Sequence, residues 1–240
     1  MKRLALLTLV FAVLSVVFFL LLIFFRFSFP VYPLISYQDA LDLLTPLVLI
    51  PIYWLLFKAA SGEAPSGRVE IAFMVLASLW VLGQGMHLAA NSVDNLIEGL
   101  ARRQVVDVRP TDVYQLAYWF DEHLSHYAWH LGVVGLAALL IYREARRPSG
   151  EATTWWVIIV SGVLYGFLLF TIFLEGQTVI LGLPSLLVMV VFGLISARRK
   201  LAQRPVLAFF FVACLLGLLL LGGWGVYWRG FPQFSDVGLI

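Results

Sequence analysis

Apolar runs long enough to cross a bilayer recur along almost the whole chain, and they leave little room for any other kind of fold. A hydrocarbon core about 30 Å thick asks for about 20 consecutive apolar residues in a helix. Such runs are read at about 4–25, 40–57, 69–94, 112–142, 152–174, 178–197 and 205–221. They are continuous rather than alternating with period two, which argues against a transmembrane β-barrel. With 62% hydrophobic and 12% charged residues and a mean hydropathy of +0.94, the composition lies outside that of soluble domains. The expected fold is all-α: one integral membrane domain over 1–240, built as a seven-transmembrane-helix bundle. Nothing in the composition suggests nucleic acid as a partner; the expected partner is membrane lipid. The oligomeric state is not encoded in any feature of the sequence.

Punctuation and charge set the expected topology. The basic start Met1-Lys2-Arg3 resembles that of a signal peptide, but its apolar run is too long and no small-x-small cleavage site follows. Arg26 and the segment from Pro30 to Pro33 mark the first exit. Pro46 and Pro51 should kink the second span and free carbonyls for neighbours to satisfy. The 58–68 segment, with Gly62, Pro65 and Gly67, reads as a polar turn. Thr111 is placed to cap the fourth helix, which is longer than a bilayer requires. Basic turns follow near 143–151 and 198–204, and Trp224, Trp228 and Phe231 read as an interfacial tail. With the N-terminus inside, 11 of the 16 Lys and Arg residues but 4 of the 14 acids fall on the inner side. The positive-inside rule therefore gives a cytoplasmic N-terminus, an outer C-terminus and a multi-pass protein of the cell membrane.

All four histidines lie within 86–130, inside apolar sequence. Ionisable groups are costly in hydrocarbon, so such a cluster is read as a functional site. At about 100° per residue, His87, Asn91, Asp94 and Glu98 share an arc of about 60° on one helix. His123, His126 and His130 share a similar arc on the next helix, and Glu122 widens it to about 100°. On this topology both stripes, together with Asp39, Asp42 and Glu175, fall in the outer half of the membrane. For Asp39 and Asp42 simple solvation at a helix entrance is the favoured reading.

Imidazole and carboxylate suit zinc, and also iron. The i, i+4 spacing of His126 and His130 puts two nitrogens on one helix face, and His87 can supply a third. A three-His zinc site with an open position lowers the pKa of bound water to about 7. Asp94, Glu98 and Glu122 are the candidates for general base or for orienting a ligand; His123, Asn91 and Glu175 are further candidate ligands. The expected activity is that of a zinc hydrolase acting on a lipid or another small apolar substrate. Three alternatives stay open: a non-haem (di-)iron oxidoreductase, a transporter or receptor with a proton- or cation-binding cluster, and haem between helices opened by Gly83, Gly85, Gly132 and Gly135. The lone Cys214 excludes an intrachain disulfide, and Ser92 and Ser125 read as helix-packing serines.

Seven spans, a helix His followed by an acid, and an HxxxH pair together resemble the superfamily of alkaline ceramidases and progestin/adiponectin-type receptors. Those are seven-span membrane metal hydrolases and their relatives, with three His, an Asp and a Ser around zinc. The resemblance covers about 45 residues and implies His87, His126 and His130 as ligands, with Asp94 or Glu98 as the acid. The HxxxH pair stands in span four here, not in the last span, and Gly83 stands where that superfamily has its Ser.

Overall fold

The computed structural model describes residues 3–24, 27–32, 34–60, 67–197 and 201–239. Lys2, Arg26, Pro33, the turn residues Gly62 and Pro65, and the basic run Arg198, Arg199 and Lys200 lie outside the described residues.

Every regular element of the described chain is helical. The α-helices are α1 (Arg3–Phe19), α2 (Tyr37–Asp42), α3 (Leu44–Ala59), α4 (Gly67–Arg102), α5 (Asp112–Tyr118), α6 (His126–Arg146), α7 (Trp155–Glu175), α8 (Val179–Ala197) and α9 (Pro205–Trp228). A 3-10 turn, Leu21–Phe24, prolongs α1, and a π-helical segment, Trp119–Ser125, joins α5 to α6 without a break in direction. Six units are long and apolar enough to cross a membrane: Tyr37–Ala59, Gly67–Arg102, Asp112–Arg146, Trp155–Glu175, Val179–Ser196 and Pro205–Trp228. The chain is a multi-pass membrane protein. The first apolar run forms the shorter α1, 17 residues long.

The second span shows how proline shapes the bundle. A proline ring clashes with the carbonyl four residues earlier and donates no hydrogen bond. Pro46 therefore releases the carbonyl of Asp42, and the helix breaks at Leu43 into α2 and α3. The released carbonyl accepts from Gln84 Nε2 of α4 at 3.2 Å. Thus the kink expected from the sequence also recruits a neighbouring helix to this end of the bundle.

The core is aromatic and lies around α1. Phe11 is fully buried, with ring centroids 4.5 Å from Tyr53, 5.0 Å from Tyr165 and 6.1 Å from Phe209. Three helices, α3, α7 and α9, thereby close on α1. The Tyr53 and Tyr165 hydroxyls, 3.0 Å apart, satisfy each other within this dry centre.

Two glycines set the distance between α4 and α6. A Cβ on Gly83 would lie 2.6 Å from the Ser125 carbonyl, and one on Gly132 would lie 2.7 Å from the Trp80 amide. Both positions are occupied by the facing helix backbone, so they serve close packing. This removes the flat-macrocycle reading of those glycines. The same approach brings the polar stripe of α4 against α6.

The last helix runs to Trp228, past the boundary near 221 expected from hydropathy. Beyond it the tail turns back. Phe234 packs 5.3 Å from Trp224, and Trp224 Nε1 donates to the Pro232 carbonyl at 3.0 Å.

Candidate functional site: a buried histidine row

The functional side chains sit where α4, the π-helical segment and α6 meet the α7–α8 turn. We call this the histidine end of the bundle. The opposite end holds the first residues of α1 and α9.

The α4 stripe is real, but its members face different partners. Gln84 Nε2 donates to Asp42 Oδ1 at 2.9 Å, and Asn91 Nδ2 donates to Asp39 Oδ1 at 3.3 Å. Asp94 accepts from the Tyr114 hydroxyl at 2.8 Å. Glu98 pairs with Arg109 at 3.6 Å and Arg102 at 3.9 Å. Of this stripe, His87 alone joins the other imidazoles. Its Nδ1 lies 2.6 Å from Asp121 Oδ1, and its ring centroid lies 4.7 Å from that of His126.

The π-helical segment decides which side chains of the second stripe point inward. Bonds from i to i+5 widen the helix and shift its register by about one residue against an α-helix. Uniform α-helical spacing would align His123 with His126 and His130. In the structure His123 is exposed beside Tyr118, with ring centroids 6.2 Å apart. Asp121, only 1% exposed, takes the inward position. Glu122 is half-buried, and its Oε2 accepts from Gln177 Nε2 at 3.3 Å.

His126 and His130 stack at 5.7 Å with 10° between their planes. The ring contacts therefore run in a row, His87 to His126 to His130. Each ring is fixed through Nδ1. His87 Nδ1 faces the Asp121 carboxylate and His126 Nδ1 faces the Glu122 carbonyl at 3.2 Å; both acceptors require that nitrogen to carry the proton. His130 Nδ1 lies 2.6 Å from the Thr178 hydroxyl. Thr178 opens α8, where its carbonyl accepts from Gly182 N at 2.8 Å. Preceding it, Gln177 adopts a left-handed φ of 51°, which turns the chain so that Thr178 meets His130.

Trp129 fills the space beside the row, 4.9 Å from His130, 5.8 Å from His87 and 6.2 Å from His126. Its indole N–H is buried and has no acceptor among the described residues. Among the described residues, no three His, Cys, Asp or Glu side chains already stand around one metal position. The row is a set of imidazoles each held by its own partner.

Several expected residues are occupied elsewhere. Glu175 fastens the tail: its Oε1 accepts from Phe234 N at 2.7 Å, and its carbonyl accepts from Gln233 Nε2 at 2.6 Å. Asp39 is not solvated at a helix entrance. It is 6% exposed and forms a reciprocal capping box with Ser36 at the start of α2. Asp121, Thr178 and Gln84 carry no signal in the sequence that singles them out. Asp121 adjoins Glu122, but only the π-helical register distinguishes them.

The site borders two cavities. One, of about 620 Å³, runs along α4 from Asn91 to Leu100, with Arg103 just past the helix end, and is closed by the connector before α2. The other, of about 500 Å³, lies between Tyr118, Gln177 and the C-terminal tail.

No protein-family model matches the chain, and no solved structure matches it. Two curated proteins are similar to it. The ceroid-lipofuscinosis neuronal protein 6 homolog of Canis lupus familiaris is 25% identical over 206 residues, covering 78% of this chain and 62% of that protein. Ceroid-lipofuscinosis neuronal protein 6 of Homo sapiens is 23% identical over the same length and coverage. The chain spans about 62% of the length of the curated relatives it matches.

Proposed function

We propose that this chain is a membrane-embedded enzyme acting on a lipid or another apolar substrate, and that His87, His126 and His130 hold a zinc ion. The observation that carries this reading is the common use of Nδ1. All three imidazoles are fixed through that nitrogen by Asp121, the Glu122 carbonyl and Thr178. A ring that donates through Nδ1 offers its Nε2 lone pair to a metal, and such anchoring is the pattern that orients metal-ligating histidines. Zinc would supply a Lewis acid for hydrolysis. The residues of this chain would then do the rest: Asp121 orients His87, Thr178 orients His130, and the Trp129 indole N–H offers a donor to a substrate oxygen. Loading the ion asks the His87 and His130 rings to turn toward His126. Asp94, Glu98 and Glu122 stay at the margin of this reading, as do His123, Asn91 and Glu175. The resemblance to the ceramidase and progestin/adiponectin receptor superfamily belongs to the same proposal.

The proposed topology has seven spans. The 17 residues of α1 rise about 26 Å, and the following 3-10 turn adds the remainder of a 30 Å core. With the N-terminus in the cytoplasm, the histidine end faces outward and lipid reaches the row from the outer leaflet of the cell membrane.

A second reading is favoured by the 2.6 Å contact of His87 with Asp121. A carboxylate that holds Nδ1–H leaves Nε2 as a proton acceptor, so the dyad can act as a metal-free general base. His87, 21% exposed, is the most accessible imidazole of the row.

Elemental analysis of the purified chain separates the two. About one zinc per wild-type chain, lost in His126→Ala, supports the first reading; iron in its place points to an oxidoreductase. Metal-free protein that loses activity in His87→Gln supports the dyad. Equal metal content in wild type and His126→Ala removes the metal centre.

A further inference from the structure

The 620 Å³ cavity has a charge pattern and a rim that the histidine row does not explain. Its long wall is α4 from Asn91 to Leu100, about 14 Å of helix, with Arg103 just past the helix end. Its opposite wall is the connector before α2, held in shape by bonds between Phe29 N and the Ile35 carbonyl at 2.9 Å and between Tyr37 N and the Phe27 carbonyl at 2.8 Å.

Three arginines cluster near the end of α4, and they are not equivalent. Arg102 pairs with Glu98, and Arg109 pairs with both Glu98 and Asp107. Arg103 forms no ion pair among the described residues, and it is the one that lines the cavity. An unpaired guanidinium is a ready fork for phosphate oxygens. At the other end, the Asp39 carboxylate is engaged by the protein itself. Its carboxylate already accepts from Ser36 N, Ser36 Oγ and Asn91 Nδ2. Between these ends the wall offers Gln38, Asn95 and Ser28, which donate and accept hydrogen bonds but carry no charge. Asn95 gives its amide to Asn91 Oδ1 at 3.1 Å and keeps its own carbonyl for a donor such as a hydroxyl.

The rim decides the source of such a ligand. Leu34 lines the cavity, and the connector that forms this wall also exposes Phe27, Val31 and Tyr32, all four more than half exposed. A polar cleft under an apolar lip has the amphiphilic order of a lipid: head group inside, chains along the lip.

We propose that this cavity binds a phospholipid whose phosphate carries a hydroxylated head group, phosphoglycerol or phosphoinositol. Arg103 takes the phosphate, and Asn95, Gln38 and Ser28 take the hydroxyls. A choline or ethanolamine head leaves those side chains without hydroxyl partners and meets no free carboxylate. The inference rests on the cavity and not on the zinc reading, so zinc-free protein that still selects the lipid would leave it standing.

The test is native mass spectrometry of the full chain released from mixed-lipid nanodiscs, with phosphatidylglycerol and phosphatidylcholine at equal amounts. The expected result is about tenfold more phosphatidylglycerol retained, with about tenfold loss in Arg103→Gln and no loss in Arg102→Gln. Asn95→Ala should reduce retention of phosphatidylglycerol but not of phosphatidic acid, which shares the phosphate and lacks the added hydroxyls. Equal retention of the two lipids, or equal losses in the two arginine variants, would overturn the proposal. Displacement of phosphatidylglycerol by equimolar glycerol 3-phosphate would overturn the lipid assignment, because the head group alone would then suffice.

Discussion

The two ends of this bundle both bury polar groups, and they do so to opposite effect. At the end that holds the start of α1, carboxylates are spent on helix ends, although Glu144 keeps one buried oxygen, Oε1, without a partner among the described residues. Glu144 of α6 accepts from Leu207 N at 2.6 Å and so caps α9, and Glu151 accepts from Leu4 N at 3.1 Å in the first turn of α1. A helix N-terminus carries unpaired N–H groups and a positive dipole end, so a carboxylate there is structural. Arg143 lies over the Phe57 ring at 4.4 Å, another packing contact. At the histidine end, each imidazole spends one nitrogen on the fold and keeps the other. A carboxylate spent on a helix N-terminus builds architecture; an imidazole held through one ring nitrogen keeps the other available.

The largest expected effect breaks the architectural side. Glu144→Ala should cost about 2–3 kcal/mol, since it leaves the first amides of α9 unpaired in a buried site. Glu144→Gln, which keeps an acceptor for Leu207 N, should recover most of that loss. Thermal unfolding followed by tryptophan fluorescence reads both, and equal midpoints for the two variants would contradict the capping role.

Next comes Asp121→Asn, which keeps shape but no longer holds His87 through a charge. Activity or zinc affinity should fall about 10–100-fold while the unfolding midpoint stays near wild type. A midpoint that falls as far as in Glu144→Ala would place Asp121 on the architectural side instead.

Trp129→Phe sharpens the comparison at a single atom. It keeps an aromatic ring beside the row and deletes an indole N–H that has no acceptor among the described residues. A buried unsatisfied donor costs about 1–3 kcal/mol, which offsets the packing lost with the smaller ring, so stability should change little. Turnover should fall if that donor serves a substrate oxygen; unchanged turnover would make the indole pure packing.

The smallest effect belongs to the exposed loop between α4 and α5. Arg109 holds the Asp107 carboxyl down from an ordinary value of about 3.9 to about 2. A lowered folded-state pKa gives stability that is present above the unfolded value and lost as pH falls through the folded one. The loop clamp should therefore persist to below pH 3.9 and open toward pH 2. Because the pair is solvent-exposed, Asp107→Asn should leave the unfolding midpoint at neutral pH close to that of the wild type.

Much of the fold can be read from the sequence because bilayer crossing is a local property. Length and apolarity place the spans, and Pro46 places the break in the second one. That His126 and His130 share one helix face also follows from helical periodicity; that His87 of α4 meets them required the two helices to pack. What periodicity could not reach was the choice of partners. Asp94 goes to Tyr114, Glu98 to two arginines and Glu175 to the tail, and each choice is made by residues distant in the sequence or brought close by a turn. His123 and Asp121 exchange places because the Trp119–Ser125 segment is π-helical, and no residue within it announces the extra width.

By itself, then, the sequence determined a helical membrane chain with a polar stripe on each of two helices, since hydropathy and spacing act within one helix. The tertiary structure alone decided which nitrogen each imidazole retains, which carboxylate stands behind His87, and which arginine is left facing a cavity. Those outcomes depend on the close approach of α4 and α6 at Gly83 and Gly132 and on the turn that carries Thr178, contacts that exist only once separate helices have packed.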